Sequence, residues 1–275
     1  MEKITIVYMV AGISSRFKGK IKQFAKIGPQ GETLIEYSLK QALSAGFNEI
    51  IFIVGNLTEE PFKKMFGNQY KGIPIKYAIQ KYDPTKRNKP WGTLDSICQI
   101  KDIVKSPFIV CNGDDLYGEQ SFKILANHLR EKTTNATLGY NLLKVLPEKG
   151  DVNRGIFELK ENKVTSIKEI LNISKENLSS KGLNENTTAS MNIFAFQPEI
   201  LDSLDKKLIK FKEQNKGNKD IECFLPTELN NLIKKQGLII ELYPTPDKWI
   251  GITNPEDEFK VREIIQNNHN NTYKM

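Results

Sequence analysis

The first half of the chain alternates short apolar runs with amphipathic stretches. Uninterrupted apolar runs are typical of strands buried in a parallel sheet, and apolar positions three or four residues apart predict helices. The predicted strands are Ile4–Met9, Glu49–Val54, Ile75–Gln80 and Ser106–Cys111. The predicted helices are Thr33–Ala45, Glu59–Phe66 and one within 91–103. This alternation predicts a doubly wound α/β sheet, in which ligands bind at the carboxyl ends of the strands.

The second half has a different pattern, in which short strands are joined by tight turns and followed by helices. The predicted strands are Ala136–Val145, Gly155–Lys160, Lys163–Glu169, Ser190–Phe196 and Leu238–Tyr243. The predicted helices are Leu201–Gln214, Leu225–Lys235 and Pro255–Gln266. The polar stretch 170–188 is predicted to be a mobile loop, and 267–275 a frayed tail. We expect one domain over 1–275, with a first half at 1–135 and a β-rich second half at 136–266.

Composition places the chain among ordinary globular proteins. Its 275 residues are 39% hydrophobic and 27% charged, which is enough apolar material for a core. Because no apolar run approaches the ~20 residues of a membrane span, and no basic segment with a cleavage site opens the chain, we expect no membrane segment, no secretion signal and a cytoplasmic location. The cysteines are three and widely spaced, which argues against a disulfide framework or a CxxC zinc site.

The chain is basic, with 40 Lys and Arg against 33 Asp and Glu and a net charge of +7. Such a charge suits nucleic acid, an anionic membrane or a phosphorylated small molecule, but it also follows from a general bias towards Lys and Asn, which we favour. No long basic run is interleaved with aromatic residues, so we expect no nucleic acid partner.

Two strand ends of the first half carry residues suited to phosphate. The loop 10–17 has the sequence Val-Ala-Gly-Ile-Ser-Ser-Arg-Phe, whose small residues let the backbone approach a phosphate, while Arg16 and Lys22 supply positive charge. It is neither a GxxxxGK[ST] P-loop nor a GxGxxG loop. The segment 112–118, Asn-Gly-Asp-Asp-Leu-Tyr-Gly, follows an apolar strand and offers two carboxylates for a hard divalent ion on phosphates.

These segments resemble, in order, the signatures of the sugar-phosphate nucleotidylyltransferases. The family pattern (L/A)-A-G-x-G-[ST]-R-(x)n-P-K matches the loop, with Ser14 at its second glycine and Ile21 at its proline. The resemblance extends from Ile4 to the helix after Pro255 and is closest to a branch with KPWGT, DDxYG and KWxG[VI]T motifs. It implies a GT-A-like Rossmann fold with a mixed, mostly parallel sheet, in which 1–135 binds the nucleotide and 136–266 the acceptor.

The resemblance also implies a nucleotide site. In the family, a Gln reads the edge of a pyrimidine base and a Gly lets the base approach the backbone; Gln80 and Gly92 match these positions. The Lys- and Arg-rich insertion 81–91 either contacts the triphosphate or is solvated, and we favour solvation. Arg16 and Lys22 are the implied catalytic residues. The implied nucleotide-binding residues are Ala11, Gly12, Ser14, Ser15, Gln80, Gly92, Thr93 and Asp114.

The implied cofactor is Mg²⁺, bound by Asp114. The segment 248–257, Lys-Trp-Ile-Gly-Ile-Thr-Asn-Pro-Glu-Asp, resembles the family's W-x-D-[IV]-x-T-P-E-D segment, but Gly251 stands where an aspartate often supplies a second metal ligand. Either Asn254 or Thr253 replaces that ligand, or the metal relies on Asp114 and the phosphates. The implied acceptor-binding residues are Gly155, Glu169, Asn192 and Lys248.

The reaction implied by the resemblance is nucleotidylyl transfer from an NTP to a phosphorylated acceptor. We favour UTP and a hexose or N-acetylhexosamine 1-phosphate, so the expected partners are small-molecule substrates, and the oligomeric state is left open. One alternative is a cytidylyltransferase acting on a non-sugar phosphate such as phosphocholine. A second alternative, supported by Gly251, is a catalytically silent regulator that binds a nucleotide or a sugar.

Overall fold

The computed structural model describes residues 3–12, 17, 19–148, 150–252 and 257–272, and the side chains of the last helix up to residue 267. The strands are β1 (Thr5–Met9), β2 (Glu49–Gly55), β3 (Gln69–Tyr70), β4 (Ile73–Gln80), β5 (Phe108–Asn112), β6 (Asp115–Leu116), β7 (Asn135–Asn141), β8 (Val152–Lys160), β9 (Lys163–Ile173), β10 (Thr188–Ser190), β11 (Phe194–Phe196), β12 (Ile240–Pro244) and β13 (Ile250–Gly251). The helices are α1 (Leu34–Leu43), α2 (Glu59–Phe66), α3 (Thr93–Cys98), α4 (Glu119–Glu131), α5 (Leu142–Val145), α6 (Ile200–Gln214), α7 (Leu225–Gln236) and α8 (Asp257–Thr272).

Eleven of the strands form one mixed sheet in the order β10-β8-β9-β12-β7-β11-β5-β1-β2-β4-β3. Strands β5, β1, β2 and β4 pair in parallel, whereas most pairs among the second-half strands are antiparallel. The chain runs from β1 outwards through β2 to β4 and then returns to β5 on the other side of β1. The boundary between β1 and β5 is therefore the topological switch point, where ligands bind in open α/β sheets.

Helices cover both faces of the sheet, as the doubly wound pattern predicts. Alternate residues of β2 point to opposite faces: Phe52 packs with α1, α2 and α4, while Ile51 and Ile53 pack with α3, α6 and α7. Both sets of side chains are fully buried, so this strand is apolar throughout. A third cluster joins α8 to β6 and to the segment around Ile27.

Most elements of the first half were predicted correctly because their signals are local. Helix α1 begins at the expected capping box, where the Thr33 and Glu36 side chains each bond the other's backbone amide. Helix α2 has the predicted bounds. Helix α4 was not predicted, although Phe122, Leu125 and Leu129 recur on one face and are buried against the sheet.

The second half corrects three predictions. The strand expected at Ala136–Val145 ends at Asn141, and the rest forms α5. The strand expected at Ser190–Phe196 is divided into β10 and β11, because Asn192 adopts a left-handed backbone with φ +55°, which asparagine tolerates. The predicted loop 170–188 is partly strand, because β9 continues to Ile173. Within the rest of it, Asn177 Oδ1 accepts from the backbone amide of Ser174 at 3.0 Å, and Asn177 Nδ2 donates to the carbonyl oxygen of Asn172 at 2.8 Å.

The end of the described chain returns to the switch point. Strand β13 pairs antiparallel with β6, which brings Gly251 opposite Asp115. Asp247 anchors the preceding loop by accepting a 2.7 Å bond from the backbone amide of Ser121 in α4. Helix α8 runs to Thr272, beyond its predicted end at Gln266. Across the described ranges, no helix combines the length and the apolar character needed to cross a membrane.

Candidate active site

A cleft of about 330 Å³ opens at the carboxyl ends of β1, β4 and β5. Seven residues singled out from the sequence line it, although they come from separate loops and helices. They are Ala11, Gly12, Lys22, Gln80, Gly92, Thr93 and Asp114. Its other lining residues are Met9, Gln23, Lys89, Pro90, Ser96, Asn112 and Glu222. The volume lies within the usual range for small-ligand sites.

Lys22 and Asp114 form an ion pair across the cleft. Lys22 opens a short 3₁₀ helix after the first loop, and Asp114 follows β5, so the pair joins the two strands of the switch point. Their side chains are 21% and 22% exposed, which leaves both accessible from the cleft. A half-buried cation held by a carboxylate in this position is suited to neutralise a phosphate.

Gln80 and Gly92 lie against one another at the end of β4 and the start of α3. The Gln80 Nε2 donates to the Gly92 carbonyl oxygen at 3.0 Å and to Asp95 Oδ2 at 2.8 Å. Gly92 has φ +98°, and a Cβ there would lie 2.7 Å from the carbonyl oxygen of Cys223. Glycine is therefore needed at position 92 for both backbone conformation and space.

The basic insertion 81–91 is not wholly solvated, so the favoured expectation needs correction. Arg87 is only 6% exposed, and its Nη1 and Nη2 donate to the carbonyl oxygens of Asn218 and Ile221, each at 2.6 Å. Its guanidinium carbon also lies 3.4 Å from the centre of the Trp91 ring. Lys89 lines the cleft and pairs with Glu222 at 2.5 Å. The insertion thus fastens the 218–223 segment beside Gly92.

Asp115 is buried beneath the cleft, next to Asp114. Its Oδ2 accepts hydrogen bonds from Asn112 Nδ2 at 2.9 Å and from the Tyr117 hydroxyl at 3.2 Å. Burial, and after it the charge of Asp114, raises the pKa of Asp115 to about 7. Asp115 is thus part of the support under the cleft, whereas Asp114 faces it.

The predicted acceptor residues are partly brought together. Gly155 of β8 pairs with Glu169 of β9 and with Ser190 of β10, and Glu169 Oε2 lies 3.7 Å from the point a Cβ of Gly155 would occupy. Burial raises the pKa of Glu169, and Arg154 opposes that shift. Asn192 lies in the break between β10 and β11. Lys248 is exposed, with no ion pair to any residue that the structure describes.

Arg154 was not singled out from the sequence, but it lies near the buried Asp115 and the predicted acceptor residue Glu169. Its guanidinium carbon is 5.4 Å from the centre of the Trp249 ring, and its buried Nε has no hydrogen-bond partner in the described part of the chain. Burial lowers the pKa of Arg154, whereas the carboxyls of Asp115 and Glu169 raise it. Neither carboxyl forms an ion pair with it, which leaves a cation available beside the predicted acceptor residues.

Four predicted site residues lie outside the described residues. They are Ser14, Ser15, Arg16 and Asn254.

A nucleotidyl transferase family model matches residues 17–267, which is most of the chain. The chain belongs to the nucleotidyl transferase family. The predicted enzyme class is thereby confirmed at the level of the family. The match includes Lys22, Gln80, Gly92 and Asp114 of the cleft as well as the second half of the sheet.

Two curated relatives of this family member are similar over part of their length. The bifunctional protein GlmU of Staphylococcus haemolyticus is 24% identical over 88% of this chain and 48% of its own. The D-glycero-alpha-D-manno-heptose 1-phosphate guanylyltransferase of Campylobacter jejuni is 28% identical over 44% of this chain and 52% of its own. The chain therefore spans about half the length of the curated relatives it matches.

A solved structure confirms the predicted fold class. The crystal structure of a UDP-glucose pyrophosphorylase complexed with UDP-glucose superimposes with a TM-score of 0.68 at 18% identity, covering 98% of this chain and 100% of that one. At this identity the likeness concerns the fold: a mixed α/β sheet with helices on both faces.

The Mg²⁺ expected for this nucleotidyl transferase fits a site with one protein carboxylate. Among the described residues, no group of three or more His, Cys, Asp or Glu side chains could hold a metal. Mg²⁺ on nucleotide phosphates is commonly held by one or two carboxylates, with phosphates and water completing its shell. Two partly exposed carboxylates line the cleft; Glu222 is paired with Lys89, and Asp114 lies at the switch point, so Asp114 is the residue that would hold the ion.

Position 251 cannot supply a second carboxylate without rearrangement. A Cβ on Gly251 would overlap the Trp249 ring and lie 2.8 Å from Asp115 Oδ1. The Trp249 ring and the Asp115 carboxyl therefore occupy the space into which an aspartate at this position would project. The neighbours of Gly251 therefore leave no room for the aspartate of the family pattern, which agrees with the glycine found here.

Two buried polar atoms of the cleft were missed by sequence reasoning. Gln23 is 1% exposed and Ser96 is 4% exposed, and both line the cleft. Neither Gln23 Oε1 nor Ser96 Oγ has a hydrogen-bond partner within the described ranges. Buried polar atoms are normally paired, so these two atoms are open to a partner such as a water molecule or a polar ligand group. In the sequence, these two residues are marked only by their positions close to Lys22 and Gly92.

Proposed function

We propose that this chain transfers a nucleotidyl group from an NTP, with UTP favoured, to a sugar 1-phosphate, giving a nucleotide sugar and pyrophosphate. The favoured acceptors are hexose and N-acetylhexosamine 1-phosphates. The observation that carries the proposal is the single cleft at the switch point, lined by seven residues that the family resemblance named from separate parts of the sequence. Membership of the nucleotidyl transferase family supports it.

The two ends of the cleft suit the two ends of a nucleotide. Lys22 and Asp114 lie at the β1 and β5 ends and suit the phosphates, while Gln80 and Gly92 at the β4 end suit the base. Gln23 and Ser96 also line the cleft, and each has a side-chain oxygen without a partner among the described residues. The acceptor would lie against Gly155, Glu169 and Arg154, on the other side of Asp114.

The proposed reaction is an in-line displacement at the α-phosphorus. An oxygen of the acceptor phosphate forms a bond to the α-phosphorus, the bond from that phosphorus to the bridging oxygen breaks, and pyrophosphate leaves with the electron pair. A phosphate monoester is already largely dianionic near neutral pH, so no general base is needed. The position of His128 is consistent with a reaction that uses no general base, because its ring is buried and hydrogen-bonded to Thr134 and Tyr243, away from the cleft.

Catalysis by the protein is then positioning and charge stabilisation. Lys22 would neutralise the charge that accumulates on the α-phosphate and the leaving pyrophosphate, and Arg16 of the same loop is proposed to assist it. Asp114 would hold Mg²⁺, which would supply further positive charge at the transferring group when bound. Arg154 would hold the acceptor so that its phosphate faces the α-phosphorus.

The relatives support the reaction class but differ in the nucleotide. One is by name a guanylyltransferase of a heptose 1-phosphate, while the superimposed structure contains UDP-glucose. The first name contains a sugar 1-phosphate and the second structure contains a nucleotide sugar, which supports a sugar 1-phosphate as the acceptor of this chain. The preference for UTP rests on Gln80 and Gly92.

The test is release of pyrophosphate with Mg²⁺, measured for UTP, dTTP, CTP, ATP and GTP crossed with hexose 1-phosphates, N-acetylhexosamine 1-phosphates and phosphocholine. The expected result is release that requires both UTP and one sugar 1-phosphate. Release with CTP and phosphocholine would favour the cytidylyltransferase. NTP binding without release for any acceptor would favour the silent regulator. A reaction without acceptor controls for hydrolysis of the NTP.

A further inference from the structure

The side chain of Gln80, the residue proposed to read the base, is held in one orientation by two hydrogen-bond acceptors of the protein. Gln80 is 4% exposed, and its Nε2 donates to the Gly92 carbonyl oxygen at 3.0 Å and to Asp95 Oδ2 at 2.8 Å. A carbonyl oxygen only accepts, and an ionised carboxylate only accepts. The opposite orientation of the amide would place its oxygen against two acceptors, so the chemistry of the partners fixes the assignment of nitrogen and oxygen.

Asp95 is kept in its acceptor role by Lys212. Asp95 is 2% exposed on α3, and Lys212 Nζ of α6 donates to its other oxygen, Oδ1, at 2.5 Å. An ammonium group only donates, so Lys212 occupies Oδ1 as a donor and Oδ2 remains the acceptor that faces Gln80. The Lys212 ammonium also lies 5.9 Å from the centre of the Trp91 ring, next to Gly92. Gln80, Asp95 and Lys212 thus form a chain from the cleft into the protein.

The consequence concerns the side of Gln80 that faces the ligand. Both hydrogens of Nε2 are used inside the protein, and no donor among the described residues reaches Oε1. Gln80 lines the cleft, so it presents a hydrogen-bond acceptor there. Uracil, thymine and guanine have a ring N–H on the Watson–Crick edge, whereas cytosine and adenine have a bare ring nitrogen at that place, which would face Oε1 as a second acceptor.

We propose that Asp95, held by Lys212, is a positioning residue that fixes the Gln80 amide with its oxygen towards the cleft and thereby selects nucleotides whose base has a ring N–H. This inference rests on the proposed function for the location of the base. It deepens that proposal, because it favours UTP, dTTP and GTP over CTP and ATP and assigns the discrimination to two residues outside the cleft.

The experiment compares kcat/KM and the equilibrium dissociation constant for UTP and CTP in the wild type and in Asp95→Asn. The wild type is expected to prefer UTP by about 10- to 100-fold, because UTP donates a hydrogen bond to Gln80 Oε1 whereas CTP leaves that oxygen unpaired. In the variant, the new amide offers a donor as well as an acceptor. Its oxygen is expected to face Lys212 and its nitrogen to face Gln80, so that Gln80 can turn. The preference for UTP should fall at least about 10-fold.

A matched control is provided by a second ion pair between the same parts of the protein. Lys101, just after α3, donates to Asp205 of α6 at 2.7 Å, but neither residue contacts Gln80. Asp205→Asn makes the same chemical change at the same packing interface and is expected to keep the wild-type ratio of UTP to CTP. An equal loss of discrimination in both variants would show that the effect is structural and would overturn the inference.

Two further measurements keep the inference testable if Asp95→Asn does not fold. Lys212→Met leaves Asp95 in place and is expected to weaken discrimination less than Asp95→Asn. UTP methylated at its ring N–H is expected to bind wild type at least about 10-fold more weakly than UTP methylated at carbon 5, since only the first loses the donor. Equal binding of the two analogues, or a wild type that prefers CTP, would overturn the inference.

The two proposals fail in different ways. If nucleotide binds with the expected base ranking but no acceptor yields pyrophosphate, the proposed transfer is wrong and the orientation of Gln80 stands. If transfer occurs with CTP in preference to UTP, the orientation is wrong and the transfer stands.

Discussion

The two halves of the sheet differ in how far the charged side chains of their candidate sites are already paired. Around the nucleotide cleft, the charged side chains have partners: Lys22 with Asp114, Lys89 with Glu222, and Asp95 with Lys212. These pairs connect the strand ends of the first half to each other and to α6 and the 218–223 segment. The cleft is therefore a preorganised site, whose side chains are held in place before a ligand arrives.

The predicted acceptor side has charged groups without ion pairs. Arg154 has a buried Nε without a partner in the described chain, Glu169 carries a raised pKa caused by burial, and Lys248 is exposed. The comparison shows that the charged groups of the cleft are paired within the protein, whereas those of the predicted acceptor side are left free for the charged acceptor that we propose. We therefore expect substitutions on the two sides to affect different kinetic constants.

The largest effect is expected from Lys22→Met. Loss of the preorganised cation should lower kcat about 10²- to 10³-fold, since it acts on charge that develops during transfer. The measurement is steady-state kinetics of pyrophosphate release, with nucleotide binding followed in parallel. Lys26→Met, at a nearby exposed lysine, is the control and should retain near-normal turnover. Near-normal kcat in Lys22→Met would remove Lys22 from the mechanism.

Arg154→Met should affect the acceptor and not the nucleotide. Losing hydrogen bonds from a cation to the acceptor phosphate is expected to raise the KM for the acceptor about 10- to 100-fold. The dissociation constant for the NTP should not change. Lys168→Met, at an exposed lysine of β9, is the control. Equal losses in nucleotide and acceptor binding would contradict the division of the sheet into two differently organised sides.

Gly251→Asp, which restores the aspartate of the family pattern, should destabilise the protein. The added Cβ overlaps the Trp249 ring and adds a carboxylate beside Asp115, so a cost of about 1–3 kcal/mol in the free energy of unfolding is expected. Denaturant unfolding measures this cost, and Mg²⁺ titration of activity shows whether the site gains metal affinity. A variant as stable as wild type with tighter Mg²⁺ dependence would contradict the steric account of this position.

The smallest effect concerns an ion-pair network away from both sites. Burial by itself would raise the pKa of Glu241, but hydrogen bonds from Lys132, Thr134 and Tyr243 together lower it to about 2. A lowered carboxyl pKa stabilises the fold above its unfolded value of about 4.5, and this contribution is lost as the pH falls towards 2.

Glu241→Gln should therefore lower the free energy of unfolding by roughly 1 kcal/mol at pH 7. The difference from wild type should shrink between pH 4.5 and 2 and should leave kcat unchanged. Denaturant unfolding across this pH range is the measurement, with Glu131→Gln as an exposed control. A difference that is independent of pH would show that the network does not set the pKa of Glu241.

The sequence predicts the strands of the first half, and the residues that line the cleft at their ends, because these signals are local. Apolar runs mark the buried parallel strands, and the residues directly after them, such as Asp114, necessarily meet at the same edge of the sheet. Gly92 has a similar local reason, a left-handed turn at the start of a helix. The family pattern adds information that no single residue carries, namely the order in which these positions follow one another along the chain.

Other features depend on contacts between distant parts of the chain. Asp95 and Lys212 lie 117 residues apart, so nothing near either residue predicts their pairing. Arg87 lies in a polar, basic stretch that resembles a solvated loop, yet carbonyl oxygens and the Trp91 ring bury it. The break at Asn192 depends on strands pairing with different neighbours, which composition does not reveal.

The most direct test of the account follows the atoms of the nucleotide with UTP labelled at its α-phosphorus, in the presence of Mg²⁺ and an active sugar 1-phosphate. We predict that the label appears in the nucleotide sugar and not in pyrophosphate, and that Lys22→Met loses this transfer while Lys26→Met keeps it. Label found only in free UMP, or transfer at the same rate in Lys22→Met, would contradict nucleotidyl transfer at this cleft.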